Sequence, residues 1–349
     1  MTNSIKIGKF PIGIKYPPFT IAEAGINHNG DVDIAKKMIQ VAKDSGTSAI
    51  KFQTFKAKEF IADISQTYTY SSQGKSITES MIDMFERCEF SKDEWFEIKQ
   101  FCDSKNIIFM SSPLDRNDLD LLLELHIPAI KLGSTDFTNI PFLKYCSSTK
   151  LPIILSCGMS YMSEIYEALS TIGTLDGYPT VLLITTSEYP TLSKNVNLLK
   201  FKKIHQEFPS LLLGFSDHTS GVLASSLAVG FGACVFEKHF TLDNNLSGPD
   251  HWFSENPIGL KNWVNSISTS YEMMGSSEMK PTISELKNKK NYQKILVAQI
   301  QIKKDEIFSE KNIGMKRVFG GSGLHPRYFY KIIGKSSDQD YQSGDVIID

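Results

Sequence analysis

Short apolar runs rich in β-branched and aromatic residues recur along most of the chain. They cover residues 19–25, 48–54, 107–113, 129–135, 152–158, 180–186, 211–218 and 233–241. Each has the length and composition of a strand buried on both faces. Between them the apolar period becomes helical, most clearly over 34–44, 92–105, 115–125, 162–172 and 222–232. The 115–125 segment shows the logic: an Asp/Asn-rich start suited to capping, then an apolar face. Continuous apolar strands alternating with helices predict a parallel sheet covered by helices, and eight such units predict a (β/α)8 TIM barrel.

Three stretches depart from this rhythm. Residues 5–16, with glycine-containing turns, read as a hairpin that plugs the N-terminal end of the barrel. Residues 56–87 form a long polar connection, a candidate lid or substrate loop. After residue 274 the character changes. A Lys-rich polar stretch over 276–291 reads as a linker, followed by a strand-like segment at 294–302 and Gly-Gly-Ser-Gly at 320–323. The predicted organisation is a barrel over 1–275, a linker over 276–291 and a small C-terminal module over 292–349, too short to build a large core alone.

Composition narrows the class without naming a function. There are 37 Lys and Arg against 39 Asp and Glu, a net charge of −2. That balance carries no footprint for a polyanion, so no nucleic-acid partner is expected. No run approaches the ~18 apolar residues of a membrane span, and no apolar signal core is visible near the start. Cys88, Cys102, Cys146, Cys157 and Cys234 are odd in number, scattered and never in a Cys-x-x-Cys pair. This disfavours a disulfide framework or a zinc cage and points to a reducing, cytoplasmic setting.

In a barrel of this kind functional residues sit at the C-terminal strand ends, and the polar residues fall there. Lys51 and Lys131 lie inside otherwise apolar strands, where a lysine is costly unless paired. With hydroxyls at Ser134 and Ser156 they suit a phosphate or carboxylate; the alternative is that they pair with Glu23 and Glu237. His218 and His239 end successive strands, which run ~5 Å apart, so both imidazoles can converge on one divalent ion with open positions. The alternative for either histidine is a purely structural role.

These residues stand in motifs that resemble the sialic acid (N-acetylneuraminate) synthase family, including the legionaminic and pseudaminic acid synthases. The motifs are IAEAGINHNGD (21–31), IKFQTF (50–55), ERC (86–88), SSPLD (111–115), IKLGS (130–134), SCGMS (156–160), TTSEYPT (185–191), GFSDHTSG (214–221), FEKHFTLD (236–243) and GPDH (248–251). The resemblance implies a barrel followed by a small antifreeze-like (SAF) domain. It implies condensation of phosphoenolpyruvate with an open-chain N-acylated hexose, N-acetylmannosamine or a 2,4-diacetamido-hexose, with release of phosphate. By the same resemblance His218 and His239 are similar to ligands of Mn2+ or Mg2+. Lys51, Lys131, Ser134, Ser156 and Ser187 match the phosphoenolpyruvate pocket, and Ser112 joins the substrate-binding set. Glu23 is similar to the catalytic carboxylate, and Gln53, Tyr189, Glu237 and Asp250 match sugar-side positions. Lys316-Arg317 resembles a pair whose arginine reaches the other subunit's pocket, which implies a homodimer with an exchanged C-terminal module.

The chain also departs from the family pattern. Arg317-Val-Phe-Gly320-Gly-Ser-Gly323-Leu-His-Pro326 replaces an Arg-Pro-Gly-x-Gly-Ile sequence, and its Gly-Leu-His-Pro ending is similar to the pseudaminic acid synthases. Gly248-Pro-Asp-His251 sides with the sialic and legionaminic branch, and Asp136 stands where a glutamate is usual. The competing readings are a pseudaminic acid synthase, another metal-dependent barrel synthase or aldolase, and a catalytically inactive carbohydrate-binding barrel. The presence of both lysines and both histidines argues against the last.

Overall fold

Along a strand successive side chains point to opposite faces, and in this chain that alternation sorts the apolar residues into two cores. The computed structural model describes residues 4–348, and the chain divides between Gly275 and Ser276 into two compact units. The first unit opens with an antiparallel hairpin, β1 (Ile5–Ile7) and β2 (Phe10–Ile12). The barrel strands are β3 (Phe19–Gly25), β4 (Ala49–Thr54), β7 (Ile108–Pro113), β8 (Ile130–Leu132), β9 (Ile153–Ser156), β10 (Thr180–Ile184), β11 (Leu212–Asp217) and β12 (Ala233–His239). Between β4 and β7 lies a second hairpin, β5 (Thr67–Ser72) and β6 (Lys75–Ser80).

The eight barrel strands form one sheet in the order β7-β4-β3-β12-β11-β10-β9-β8, parallel at every paired step. The ends β7 and β8 pack side by side, so the sheet curls into a near-closed barrel of the TIM type. One face of each strand packs outward against the helices: Ala22, Ala24, Ile50, Phe52, Leu132, Leu155 and Phe236 belong to that outer core. The other face fills the barrel with Ile21, Ala49, Met110, Ile154, Val181, Leu183 and Val235, and Ile7 and Ile12 of the first hairpin close the bottom of this inner core. Gly214 has no room for a side chain, because a Cβ there would lie 2.4 Å from Leu183 Cδ2 and 2.4 Å from the Val235 carbonyl oxygen.

The helices begin where their caps predict. Asp31 accepts from the Asp33 and Ile34 amides ahead of Val32–Asp44. Ser91 with Glu94 and Asp115 with Asp118 form reciprocal capping boxes ahead of Lys92–Ser104 and Arg116–Glu124. In the first unit three helices of eight or more residues escaped the sequence pattern: Ile140–Ser148, Lys200–Glu207 and Pro257–Met274. The polar 56–87 connection is not irregular, since it carries the β5–β6 hairpin. Gln73 and Gly74 turn it with φ of 52° and 72°, the pair of positive values a two-residue hairpin loop demands.

The second unit begins in the stretch read as a linker, which contains a helix, Ile283–Tyr292, opened by a Thr282/Glu285 capping box. Its side chains are unburied, so no apolar face announces it. After it, β13 (Lys294–Ala298) pairs antiparallel with β14 (Ile313–Arg317). Leu296, Ala298, Ile302, Phe308, Ile313, Phe329 and Tyr341 give this unit a core of its own. Among the described residues, no helix is long and apolar enough to cross a membrane.

Candidate active site

The inward face of the barrel is apolar toward the strand starts and polar toward the strand ends. Moving two residues along β3 takes the chain from Ile21 to Glu23, along β4 from Ala49 to Lys51 and Gln53, along β7 from Met110 to Ser112, and along β12 from Val235 to Glu237 and His239. The register places these residues side by side: Glu23 pairs with Lys51 on one side and with His239 on the other, and Ser216 pairs with Glu237. The result is a pocket of about 580 Å³ at the C-terminal end of the barrel, a size suited to small-molecule ligands. A larger cleft of about 740 Å³ lies at the opposite end, beside Lys6, Lys150 and Tyr178, and contains none of the predicted site residues.

Four buried charges form the floor. Lys51 Nζ lies 2.8 Å from Glu23 Oε2 and 3.9 Å from Glu237 Oε2, and Lys131 Nζ lies 3.5 Å from Glu237 Oε1. Each lysine also donates to a serine, Lys51 to Ser112 at 3.2 Å and Lys131 to Ser156 at 2.9 Å. The pairing with Glu23 and Glu237 that was the alternative reading of the lysines is realised, and each lysine also stands beside a serine hydroxyl. Burial drives the Glu23 carboxyl up to about 7, only partly opposed by Lys51. The same burial acts on Glu237, but there Lys131 and Lys51 outweigh it and hold the carboxyl well below the usual range. The pair thus splits into one carboxyl that exchanges its proton near neutrality and one that stays ionised.

Beside Lys131, a hydroxyl-lined recess is kept open by a glycine. The Gly158 amide donates to Ser134 Oγ at 3.0 Å, and a Cβ at Gly158 would lie 2.3 Å from Ser187 Oγ and 2.7 Å from Ser134 Oγ. Ser134, Ser156 and Ser187 line the pocket together with Lys51 and Lys131, a donor set suited to a phosphoryl group.

The two histidines stand at the rim, ring centroids 5.6 Å apart. The Thr186 carbonyl lies 2.8 Å from His218 Nδ1, which assigns the proton to that nitrogen and leaves Nε2 as the acceptor, 3.4 Å from Ser216 Oγ. His239 Nδ1 is buried without a hydrogen-bond partner and lies 3.8 Å from Asp250 Oδ2. Burial pushes both imidazoles below their ordinary value, and for His239 the neighbouring His218 and Lys51 push further. Both are therefore neutral, the form that binds metal. Among the described residues no cluster of three or more His, Cys, Asp or Glu is arranged to hold an ion. A divalent cation at this rim would take two imidazoles from the protein and its remaining ligands from water or substrate, and the orphaned nitrogen of His239 fits that role.

Of the residues expected on the sugar side, Gln53, Tyr189 and Glu237 line this pocket and Asp250 does not. Gln53 Nε2 donates to Glu23 Oε1 at 3.2 Å. The Tyr189 ring packs 4.2 Å from that of His218. Asp250 lies partly buried near Gly25, and the loss of solvent raises its carboxyl to about 6 against the pull of Lys51. Arg317 belongs to the second unit, on β14, with its guanidinium 5.9 Å from the centre of the Tyr292 ring. Phe60, Phe85, Leu114, Thr135, Met159, Thr185 and Ser216 also line the pocket and were absent from the predicted set. Ser216 donates to Glu237 Oε1 at 3.0 Å and Thr185 to the Ser216 carbonyl at 2.8 Å. Stepping back two residues from His218 and from Ser187 would have found both.

The model of the NeuB family matches residues 38–279. The chain belongs to the NeuB family. Two relatives are N,N'-diacetyllegionaminic acid synthases. The one from Campylobacter jejuni subsp. jejuni serotype O:2 is 40% identical over 329 residues, 94% of this chain and 98% of the relative. The one from Legionella pneumophila subsp. pneumophila is 36% identical over 351 residues, 99% and 96% of the two chains. The crystal structure of N-acetylneuraminic acid (sialic acid) synthetase from Leptospira borgpetersenii serovar Hardjo-bovis in complex with citrate is 32% identical, with a TM-score of 0.74 over 82% of this chain and 95% of that one. This NeuB protein therefore shares both sequence and barrel with synthases of nonulosonic acids.

Proposed function

We propose that this nonulosonic acid synthase condenses phosphoenolpyruvate with an open-chain 2,4-diacetamido-hexose and releases phosphate. The observation that carries the reading is the floor of the pocket, where two buried lysines, each bonded to a serine, flank the Glu237 carboxylate, and Lys51 also pairs with Glu23, whose carboxyl is raised to about 7. Lys131, Ser134, Ser156, Ser187 and the Gly158 amide suit the phosphoryl group, and Lys51 with Ser112 suits the carboxylate. Tyr189, Gln53 and Glu237 bound the space left for the sugar.

His218 and His239 would hold a Mn2+ or Mg2+ ion, which when bound supplies Lewis-acid polarisation of the sugar aldehyde. The chain's own residues do the rest. Phosphoenolpyruvate is held with its C3 toward the aldehyde carbon; the new C–C bond forms as the enol electrons move to that carbon, the carbonyl electrons move onto the aldehyde oxygen, and that oxygen takes a proton from water to become a hydroxyl. The positive charge left at C2 is met by water, whose proton passes to Glu23 as general base. The bond between C2 and the bridging phosphate oxygen then breaks, the C2 hydroxyl gives its proton to the departing phosphate, and C2 becomes a ketone. A base with a pKa near 7 is matched to this task at neutral pH.

The second unit fits an antifreeze-like module, with Arg317 serving the other subunit's pocket in a homodimer; an arginine fork suits a carboxylate or phosphate better than a lysine. All five cysteines are free, in keeping with a cytoplasmic site of action. The two legionaminic relatives favour the diacetamido sugar, while the Gly323-Leu324-His325-Pro326 sequence favours a pseudaminic-type stereoisomer. The test is phosphate release with product mass, scanned across N-acetylmannosamine and stereoisomeric 2,4-diacetamido-hexoses with and without Mn2+. Turnover with a legionaminic-type precursor supports the reading. Turnover with a pseudaminic-type precursor alone keeps the diacetamido-hexose and sets its stereochemistry, whereas turnover with N-acetylmannosamine alone overturns the sugar assignment.

A further inference from the structure

A second set of buried charges lies on the opposite face of the two strands that carry the histidines. Because side chains alternate, Ser216 on β11, His218 just after it, and Glu237 and His239 on β12 face the pocket, which turns Asp217 and Lys238 away from it. The register pairs these two residues directly across the ladder. Lys238 Nζ lies 3.1 Å from Asp217 Oδ2, with the two side chains 3% and 0% exposed. Neither lines the pocket.

The pair is tied to every segment that flanks a histidine. Asp217 Oδ1 accepts from the Thr219 amide at 2.8 Å and hydroxyl at 2.7 Å, so both neighbours of His218 are fixed. Lys238 donates to the Thr219 carbonyl at 2.6 Å and lies 3.9 Å from Glu255. The Glu255 amide in turn donates to the His239 carbonyl at 2.9 Å. Behind the pair, Ser225 Oγ donates to Asp217 Oδ2 at 2.6 Å and accepts from Trp263 Nε1 at 2.8 Å. The pair is thus anchored in helices Leu223–Gly230 and Pro257–Met274. A buried ion pair often adds little net stability over apolar residues of similar size, so stability alone does not account for this network.

We propose that Asp217 and Lys238 are positioning residues, a buried ion pair behind β11 and β12 that fixes the spacing of His218 and His239 and thereby their capacity to hold a divalent cation. The proposal rests on the reading of these histidines as the metal ligands. It predicts a selective defect, because the phosphate-side residues come from β4, β7, β8, β9 and the loops after β8, β9 and β10, not from these two strands.

The test uses the double variant Asp217→Asn/Lys238→Met, which leaves no unpaired buried charge, and Ser225→Ala as a milder variant. Mn2+ affinity is read from the spin-resonance signal of the free ion without substrates, alongside phosphoenolpyruvate affinity and thermal melting. The expected double variant is folded and binds phosphoenolpyruvate within about 2-fold of wild type. Its Mn2+ affinity falls about 10- to 100-fold, the range for partners that orient a metal ligand from behind, and Ser225→Ala shifts it the same way by less. Unchanged Mn2+ affinity in both variants overturns the proposal while leaving the metal reading intact. Parallel loss of both ligands, or an unfolded double variant, makes the pair structural and also overturns it. Wild-type protein that binds no Mn2+ overturns the metal reading and the proposal with it.

Discussion

Replacing Glu23 by glutamine separates what this carboxyl does for catalysis from what it does to stability. Glu23 is buried against Lys51 at 2.8 Å, and its carboxyl is raised from 4.5 to about 7, chiefly by burial. A folded-state pKa above the unfolded value means stability that is fully present below about pH 4.5 and lost as pH rises through about 7. The gap of about 2.5 units, at ~1.36 kcal/mol each, amounts to about 3 kcal/mol. Glutamine keeps the shape and the neutral charge, so the Glu23→Gln variant lacks this loss. Urea unfolding at about pH 5 and about pH 8 should show the stability difference between variant and wild type moving by about 3 kcal/mol in the variant's favour. Phosphate release should meanwhile fall by roughly 10²- to 10⁴-fold, the usual contribution of a general base, and the rising limb near pH 7 in kcat/KM should disappear. Parallel stability profiles for the two proteins, or activity within about 3-fold of wild type, would refute this account of Glu23.

Three further perturbations probe the other parts of the site. A Gly158→Ala methyl collides with Ser187 and Ser134; the overpacking, about 1–3 kcal/mol of stability, should lower the melting temperature by a few degrees, and the displaced hydroxyls should raise KM for phosphoenolpyruvate in steady-state assays. His218→Ala should abolish Mn2+ binding and turnover while circular dichroism and phosphoenolpyruvate binding are preserved; retained metal-dependent turnover would sink the assignment. His28 is buried against the Phe90 ring, and burial drops its imidazole to about 3. Its contribution to stability is present above about pH 6.5 and lost as pH falls through about 3, so His28→Asn should flatten the acid-unfolding profile over that window.

Much of the barrel was legible because strands buried on both faces leave continuous apolar runs, and a lysine or glutamate interrupting such a run is conspicuous. Lys51, Lys131, Glu23 and Glu237 were visible for that reason, and His218 and His239 because they end successive runs. The β5–β6 hairpin was illegible by burial, since Thr67–Ser80 is mostly exposed; the Gln73-Gly74 turn between alternating residues was its signal. Helix Ile283–Tyr292 buries no side chain, so only Thr282 and Glu285 mark its start. Helix Pro257–Met274 does carry a pattern, with Leu260, Trp263 and Ile267 buried on one face behind an Asn256 cap and Pro257. The electrostatic split between Glu23 and Glu237 was beyond the sequence. Both are buried glutamates beside lysines, and only the position of Lys131 near Glu237 sends their proton affinities in opposite directions.

The central claim is that one barrel pocket joins phosphoenolpyruvate to an acylamino sugar. The direct measurement is phosphate release from phosphoenolpyruvate by wild-type protein with Mn2+, with and without a 2,4-diacetamido-hexose, followed alongside the mass of the product. Release that requires the sugar, and that matches a nine-carbon acid mole for mole, is the predicted result. Phosphate released at the same rate without sugar, or none released with any acylamino hexose, would contradict it.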